Sequence, residues 1–258
     1  LAELQARAAN AGTSQHPGWG PWYTSLKSSI GDSMTANLVT DPERDKHMLA
    51  MLVVHIVDTT TTDAGQAAID GALALAAEVD ANGVNGFGSE KRECLLTLAW
   101  AFDVLKDAVY PGAVSLTDPQ AETIGDAILT GSGDLDTPES QKIYGVGNGD
   151  LAVVAVANMA LIGHPTLGST ATTNMNAALD HWYGDAFDLS DSRISYDRYY
   201  EFGGGKGSDY EFRSKAYTSW LIYAYSQAVA SSTLQGSSYD PIQDEDWLKT
   251  CPEWWLNV

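Results

Sequence analysis

Apolar residues recur at three- and four-residue spacings along most of the chain, and alternation of the kind a strand needs is scarce. The pattern predicts helices. A short one covers Leu1 to Ala9, Gly12 to Pro21 breaks it, and Trp22 to Ile30 resumes helical spacing. Asp41-Pro42-Glu43 reads as a helix start, with Asp as N-cap and Pro at the first helical position. Leu49, Leu52, Val53 and Ile56 then mark a largely buried helix. Asp63 opens the next, through Ala67, Ile69, Leu73, Leu75 and Val79 to the stop Asn82-Gly83. Ser89 begins a third, through Leu95, Leu98, Ala99, Phe102 and Leu105, ending near Tyr110-Pro111-Gly112. Thr117-Asp118-Pro119 starts a fourth, carrying Ile124, Ile128 and Leu129 and closed by Gly131-Ser132-Gly133.

A polar loop is expected from Asp134 to Gly149. Leu151 to Ile162 is almost wholly apolar and predicts a central helix stopped by Gly163-His164-Pro165. Thr170 to Tyr183 and Asp209 to Ala230 give two more helices. The tail from Ser231 reads as loop, with Trp247, Trp254 and Trp255 predicting that it packs back on the body. This rhythm is that of stacked antiparallel helix pairs, and it predicts one all-α domain over residues 1–258 with no internal linker.

Composition narrows the choices. At 258 residues and 44% apolar content, a sizeable core is expected. No apolar run reaches the roughly 18 to 20 residues of a membrane helix, so no membrane insertion is expected. A formal charge of -20 argues against nucleic acid, whose phosphates need a basic face. The chain begins at Leu1 with no charged segment ahead of an apolar one, so a processed or trimmed leader and an extracellular or periplasmic location are the expectation.

Cys94 and Cys251 leave a long-range disulfide open, with a buried thiol beside a free one as the alternative. His47 and His55, two turns apart, read as packing residues, and His164 sits in a turn. Asp80-Ala81-Asn82-Gly83 and Asp134-Leu135-Asp136 are rich in oxygen ligands, but neither has the twelve-residue calcium-loop spacing. No metal and no cofactor are expected.

One stretch stands out against the acidic background. Arg193 to Tyr225 holds Arg193, Arg198, Lys206, Arg213 and Lys215, five of the fourteen Lys and Arg, among seven tyrosines. A glycine-rich bend at Gly203 to Gly207 precedes the Asp209 helix and would present these groups at its mouth. Cations beside phenols suit an anionic sugar polymer.

Several segments resemble the uronate polysaccharide lyases with an (α/α) toroid, the alginate lyase and heparinase II/III-like families. Leu95 to Leu105, containing Ala101-Phe102-Asp103-Val104-Leu105, is similar to their Ala-Tyr-Asp-Leu/Val-Leu helix. Leu116-Thr117-Asp118-Pro119-Gln120 is similar to their Leu-Ser/Thr-x-x-Glu/Gln helix start. Met48 to Val57 and Ala64 to Glu78 resemble their small-residue helices. Gly145 to Leu151 falls where such proteins have Asn-His opening an apolar helix, and Tyr199 to Tyr225 resembles their Glu-and-glycine loop before a Tyr-bearing helix. The resemblance runs from about Asp41 to Ala230 and implies an incomplete or open (α/α) toroid. Two departures stand: Gly149 follows Asn148 where the family has histidine, and there are fewer helices than a closed toroid needs.

The activity implied is β-elimination on a uronic-acid polysaccharide, which needs a carboxylate neutraliser, a base and an acid. Asn148 at a helix start and Arg213 would hold the carboxylate. Tyr217, at i+4 from Arg213 on the helical reading, is the preferred base and acid, with Tyr210 next. His181, beside Trp182 and Tyr183, is a replacement base. Arg198, Tyr200, Glu201, Lys206, Lys215 and Trp182 complete a substrate-binding set.

Each residue has a plainer role. Tyr217, Trp220, Leu221 and Tyr225 also have core spacing, Arg213 can pair with Asp209 or Glu211, Asn148 can be a turn residue or cap, and Glu201 can brace its loop. Two rival functions remain. A glycoside hydrolase would draw a carboxylate pair from Asp197, Glu201, Asp209 and Glu211. A non-catalytic sugar-binding or surface-assembly protein would keep the scaffold and self-associate.

Overall fold

The computed structural model describes residues 5–6, 19–58, 63–108, 113–136 and 147–187. Among these every regular element is helical and there is no strand. The helices are α1 (Trp19–Ser28), α2 (Ile30–Thr35), α3 (Arg44–Val57), α4 (Asp63–Asn82), α5 (Lys91–Leu105), α6 (Asp118–Leu135), α7 (Gly147–Met159) and α8 (Gly168–Phe187). A 3-10 segment, Val84–Glu90, joins α4 to α5. The expected helices at Leu1 to Ala9 and Asp209 to Ala230, and the tail from Ser231, lie outside the described residues.

The described residues group into two compact units: 134 and below with 157–171, and 135–156 with 172–187. In the first, α3, α4 and α5 pack on one another, and α2 packs on α3 and α4. Helix α6 runs against α5 in the opposite direction. Phe102 faces Gly125 and Leu95 faces Gly131, while Lys106 near the end of α5 meets Asp118 at the start of α6. Met48, Met51, Leu75, Leu95, Leu98, Leu105, Ile124 and Ile128 fill this core. In the second unit Leu151, Val153, Val154 and Ala155 of α7 are buried, as are Met175 and Ala178 of α8.

Local chemistry sets the start of α6. Gln120 Oε1 accepts from both the backbone N–H and the hydroxyl of Thr117, each at 2.9 Å, which ties the residue ahead of the helix to its first turn. The expected start at Thr117-Asp118-Pro119 therefore holds.

Other boundaries differ from expectation. Helix α3 begins at Arg44, with Glu43 as its cap residue. The Asp41 carboxylate instead accepts the Glu43 N–H at 2.8 Å, closing a turn ahead of the helix. Ser89 lies inside the 3-10 segment, and α5 starts at Lys91. Helix α7 starts at Gly147, which shortens the expected loop.

Gly131-Ser132-Gly133 does not end α6, which continues to Leu135. A Cβ on Gly131 would lie 2.7 Å from Val84 Cγ1 and 3.1 Å from Leu95 Cδ1, so this glycine serves close helix contact. The Ser132 hydroxyl donates to Ile128 O at 2.7 Å and accepts from Asn158 Nδ2 at 2.8 Å, a buried polar link between distant parts of the first unit.

The buried stripe of α3 is also displaced. Met48, Met51, Leu52 and His55 are buried, whereas Leu49 is 41% exposed and Val53 and Ile56 only half-buried. Helix α3 is apolar nearly all round, so its sequence does not choose a face; contact with α2, α4 and α5 does.

Candidate functional site

Most of the expected polysaccharide site falls outside the described residues: Arg198, Tyr200, Glu201, Lys206, Tyr210, Arg213, Lys215 and Tyr217, with Asp197, Asp209 and Glu211. Asn148 lies in the first turn of α7, consistent with its expected place at a helix start, and Gly149 follows it there. His181 and Trp182 lie in the last two turns of α8. Asn148, His181 and Trp182 belong to the same compact unit.

The described residues contain an open groove of about 570 Å³ in the first unit. One wall is α4, contributing Asp63, Gln66, Ala67, Asp70, Gly71 and Ala74; Ser33 and Met34 of α2, the turn at Ala36 to Leu38, and Met51 of α3 line the rest. The α4 residues are spaced at three and four positions, so they form one stripe along the helix. Gly71 lets the buried Leu38 pack directly onto α4: a Cβ on Gly71 would lie 2.6 Å from Leu38 Cδ1.

Charge on this groove has one sign. Asp63 and Asp70 are exposed and no Lys, Arg or His lines it. Gln66 Nε2 donates to Asp70 Oδ1 at 2.8 Å along the same helix. A polyanion is repelled here and a cation is favoured. Sequence reasoning passed over these residues because it sought cations; the polar and small positions 63, 66, 67, 70, 71 and 74 were the available signal.

The buried polar groups of the first unit serve the framework. Arg44 donates through Nε to Leu38 O at 2.9 Å and through a terminal nitrogen to Glu90 at 2.7 Å, and its guanidinium lies 4.9 Å from the Phe87 ring centroid. This ties the turn before α3 to the entrance of α5. The packing role expected for His55 holds: it is buried, its Nε2 faces Val114, and burial lowers its pKa despite the opposing effect of the backbone hydrogen bond. His47 Nδ1 meets the Ser33 hydroxyl at 3.1 Å. His164, in its expected turn, packs edge-on against Phe102 and meets the Thr166 hydroxyl at 3.2 Å. Asp134, one of the oxygen-rich positions, accepts the Val84 N–H at 2.9 Å and acts as a clasp on the turn at Gly83.

Cys94 carries a free, fully buried thiol whose pKa burial pushes up to about 12. The buried thiol expected as one alternative is seen for Cys94, while Cys251 lies outside the described residues. Tyr23 is likewise pushed up to about 12, first by burial and then by the Asp58 carboxylate, and so stays a neutral phenol. Among the described residues no cluster of His, Cys, Asp and Glu has metal-binding geometry, and no helix is long and apolar enough to cross a membrane.

No protein-family model, curated protein or solved structure matches this chain.

Proposed function

We propose that the chain is a polysaccharide lyase acting on a uronic-acid polymer by β-elimination, on an open (α/α) toroid. The observation that carries this reading is the cationic, tyrosine-rich run Arg193 to Tyr225 in a protein of net charge -20. Two features support it. The described residues are all-helical, and Asn148 stands in the first turn of α7, where backbone N–H groups lack helical partners and favour an anion.

In this mechanism Asn148 and Arg213 bind the uronate carboxylate, which increases the acidity of the adjacent C5 proton. The Tyr217 phenolate, stabilised by nearby cations, takes that proton. The C5 electron pair forms the C4=C5 double bond as the C4–O4 bond breaks, and the phenol returns a proton to O4. Tyr210 is the alternative acid and base, and His181 a replacement base. Arg198, Lys206 and Lys215 match the polymer's charge, with Tyr200, Glu201 and Trp182 contacting sugar.

The acidic groove on α4 is not the substrate cleft in this reading, because its carboxylates oppose the polymer's. Gly149 in place of the family's histidine favours a second reading, a non-catalytic sugar-binding module on the same scaffold. Ultraviolet absorbance of the new double bond on alginate, heparan, chondroitin and pectate separates the two. The lyase reading expects a rise on at least one polymer, reduced about a hundredfold or more by Tyr217→Phe. No rise on any of them rejects it; binding without a rise favours the module.

A further inference from the structure

We infer that Asn85 is a site of covalent self-modification, where the chain converts its own asparagine to aspartate and isoaspartate through a cyclic imide. This goes beyond the lyase reading and does not rest on it. Asparagine is a thermolabile residue, and a glycine after it favours ring closure because no Cβ crowds the attacking nitrogen. Two such pairs, Asn82-Gly83 and Asn85-Gly86, flank Val84 in the connection from α4 to α5. Their sequences are alike, but their surroundings differ.

Asn82 is held at both reacting ends. Its side-chain amide donates to Glu78 Oε1 at 2.7 Å, and the Gly83 N–H, whose nitrogen would attack, donates to Val79 O at 2.7 Å. Gly83 is further fixed at a φ of 67°, with Asp134 Oδ2 in the space a Cβ would take. Asn85 and Gly86 are exposed, and the Asn85 side chain has no hydrogen-bond partner among the described residues. The Gly86 N–H donates to Gly83 O at 3.3 Å, longer than the usual range for such a bond. Opening this exposed turn frees the Gly86 nitrogen, whereas freeing that of Gly83 means breaking the last turn of α4.

In the reaction the Gly86 nitrogen loses its proton and attacks Asn85 Cγ. The Cγ–Nδ2 bond breaks, and ammonia leaves with that proton. Water then opens the imide at either carbonyl. Cleavage of the new Cγ–N bond gives aspartate, and cleavage of the original backbone C–N bond gives isoaspartate, whose main chain runs through Cβ and Cγ. The isoaspartate thus adds a carbon to the main chain between two fixed points. Ahead of it, the Val84 N–H is held by Asp134 Oδ2 at 2.9 Å; beyond it, Arg44 holds Glu90 at 2.7 Å and lies over the Phe87 ring. The segment takes up the extra atom by loosening one of these ties, so the modification weakens the connection between α4 and α5.

Incubation of the full chain in mildly alkaline buffer, followed by peptide mapping with mass spectrometry, tests this. In the folded protein Asn85 should convert at least fivefold faster than Asn82, and in denaturant the two should convert at rates within about twofold of each other, because the difference comes from local opening. Gly86→Ala should slow conversion of Asn85 at least tenfold. The added Cβ would meet only Asn82 Cβ, at 3.5 Å, an ordinary contact, so the fold is kept and circular dichroism should be unchanged. Protein enriched in isoaspartate at position 85 should melt at a lower temperature than fresh protein. Equal rates at the two sites in the folded chain, or faster conversion of Asn82, overturn the inference. So does an unchanged rate in Gly86→Ala, which would exclude the imide route, and equal melting of fresh and modified protein would reject the loosened connection.

Discussion

The Nε2 atom of His55 lies 3.2 Å from the carbonyl oxygen of Val114 and 3.3 Å from its amide nitrogen, so one ring nitrogen faces both polar groups of a single residue. The link joins the last turn of α3 to the strand-free segment that leads into α6. Neutral His55 accepts the Val114 N–H when Nε2 is unprotonated; a protonated Nε2 donates to the carbonyl instead.

Burial disfavours the charged ring and lowers the His55 pKa from 6.5. The unfolded chain therefore binds a proton at higher pH than the folded chain does. The His55 contribution to stability is complete above about pH 6.5 and is lost as pH falls from there through the lowered folded-state value. Thermal melts across this range should show a decline on acidification that is shallower in His55→Gln. Equal slopes in the two proteins would show that His55 does not contribute.

Gly65→Ala should destabilise the protein by about 1–3 kcal/mol, the usual cost of overpacking. Its new Cβ would lie 2.5 Å from the Cε1 and Nδ1 atoms of His55, and this ring is held by Val114 and cannot retreat freely. Gly31→Ala provides the contrast, because nothing lies within 4 Å of a Cβ there. In helix α2 the same substitution should stabilise by about 0.5–1 kcal/mol. Urea denaturation of the two variants should give shifts of opposite sign.

Ser132→Ala should cost about 1–3 kcal/mol, since it removes the buried hydroxyl that accepts from Asn158. A double-mutant cycle with Asn158→Ala should show coupling of about 0.5 kcal/mol or more. Additive effects would mean that the two side chains contribute separately.

Cys94 should resist thiol reagents in the folded protein at neutral and mildly alkaline pH. With its pKa pushed up to about 12, almost no thiolate forms, and the sulfur is buried. Peptide mapping after alkylation should find Cys94 unlabelled until denaturant is added. Rapid native labelling would show that the helix packing around it opens readily.

Helix identity was readable where the determining chemistry is local. Thr117 and Gln120 meet across one turn, and the expected α6 start needed nothing else. In α5, Leu95, Leu98, Ala99, Phe102 and Leu105 are all buried, as their spacing implied. Residues whose role depends on distant neighbours were misread or missed. Gly131 resembled a helix stop but makes room for Val84 and Leu95; Leu49 resembled a core residue but faces outward. The groove went unseen because its rim on α4 and its opposite wall at Met34 to Leu38 are separated in sequence.

From the amino-acid order alone followed the all-helical character of the described residues, because the backbone hydrogen bonds and first-turn side-chain links of a helix join residues only a few positions apart. Packing of distant segments decided which face of α3 is buried, that Asp134 holds the turn at Gly83, that the Cys94 thiol is buried, and that Asp63 and Asp70 line a groove. Side-chain volume and desolvation act between whatever groups the fold brings together, and their outcome depends on neighbours that no local pattern specifies.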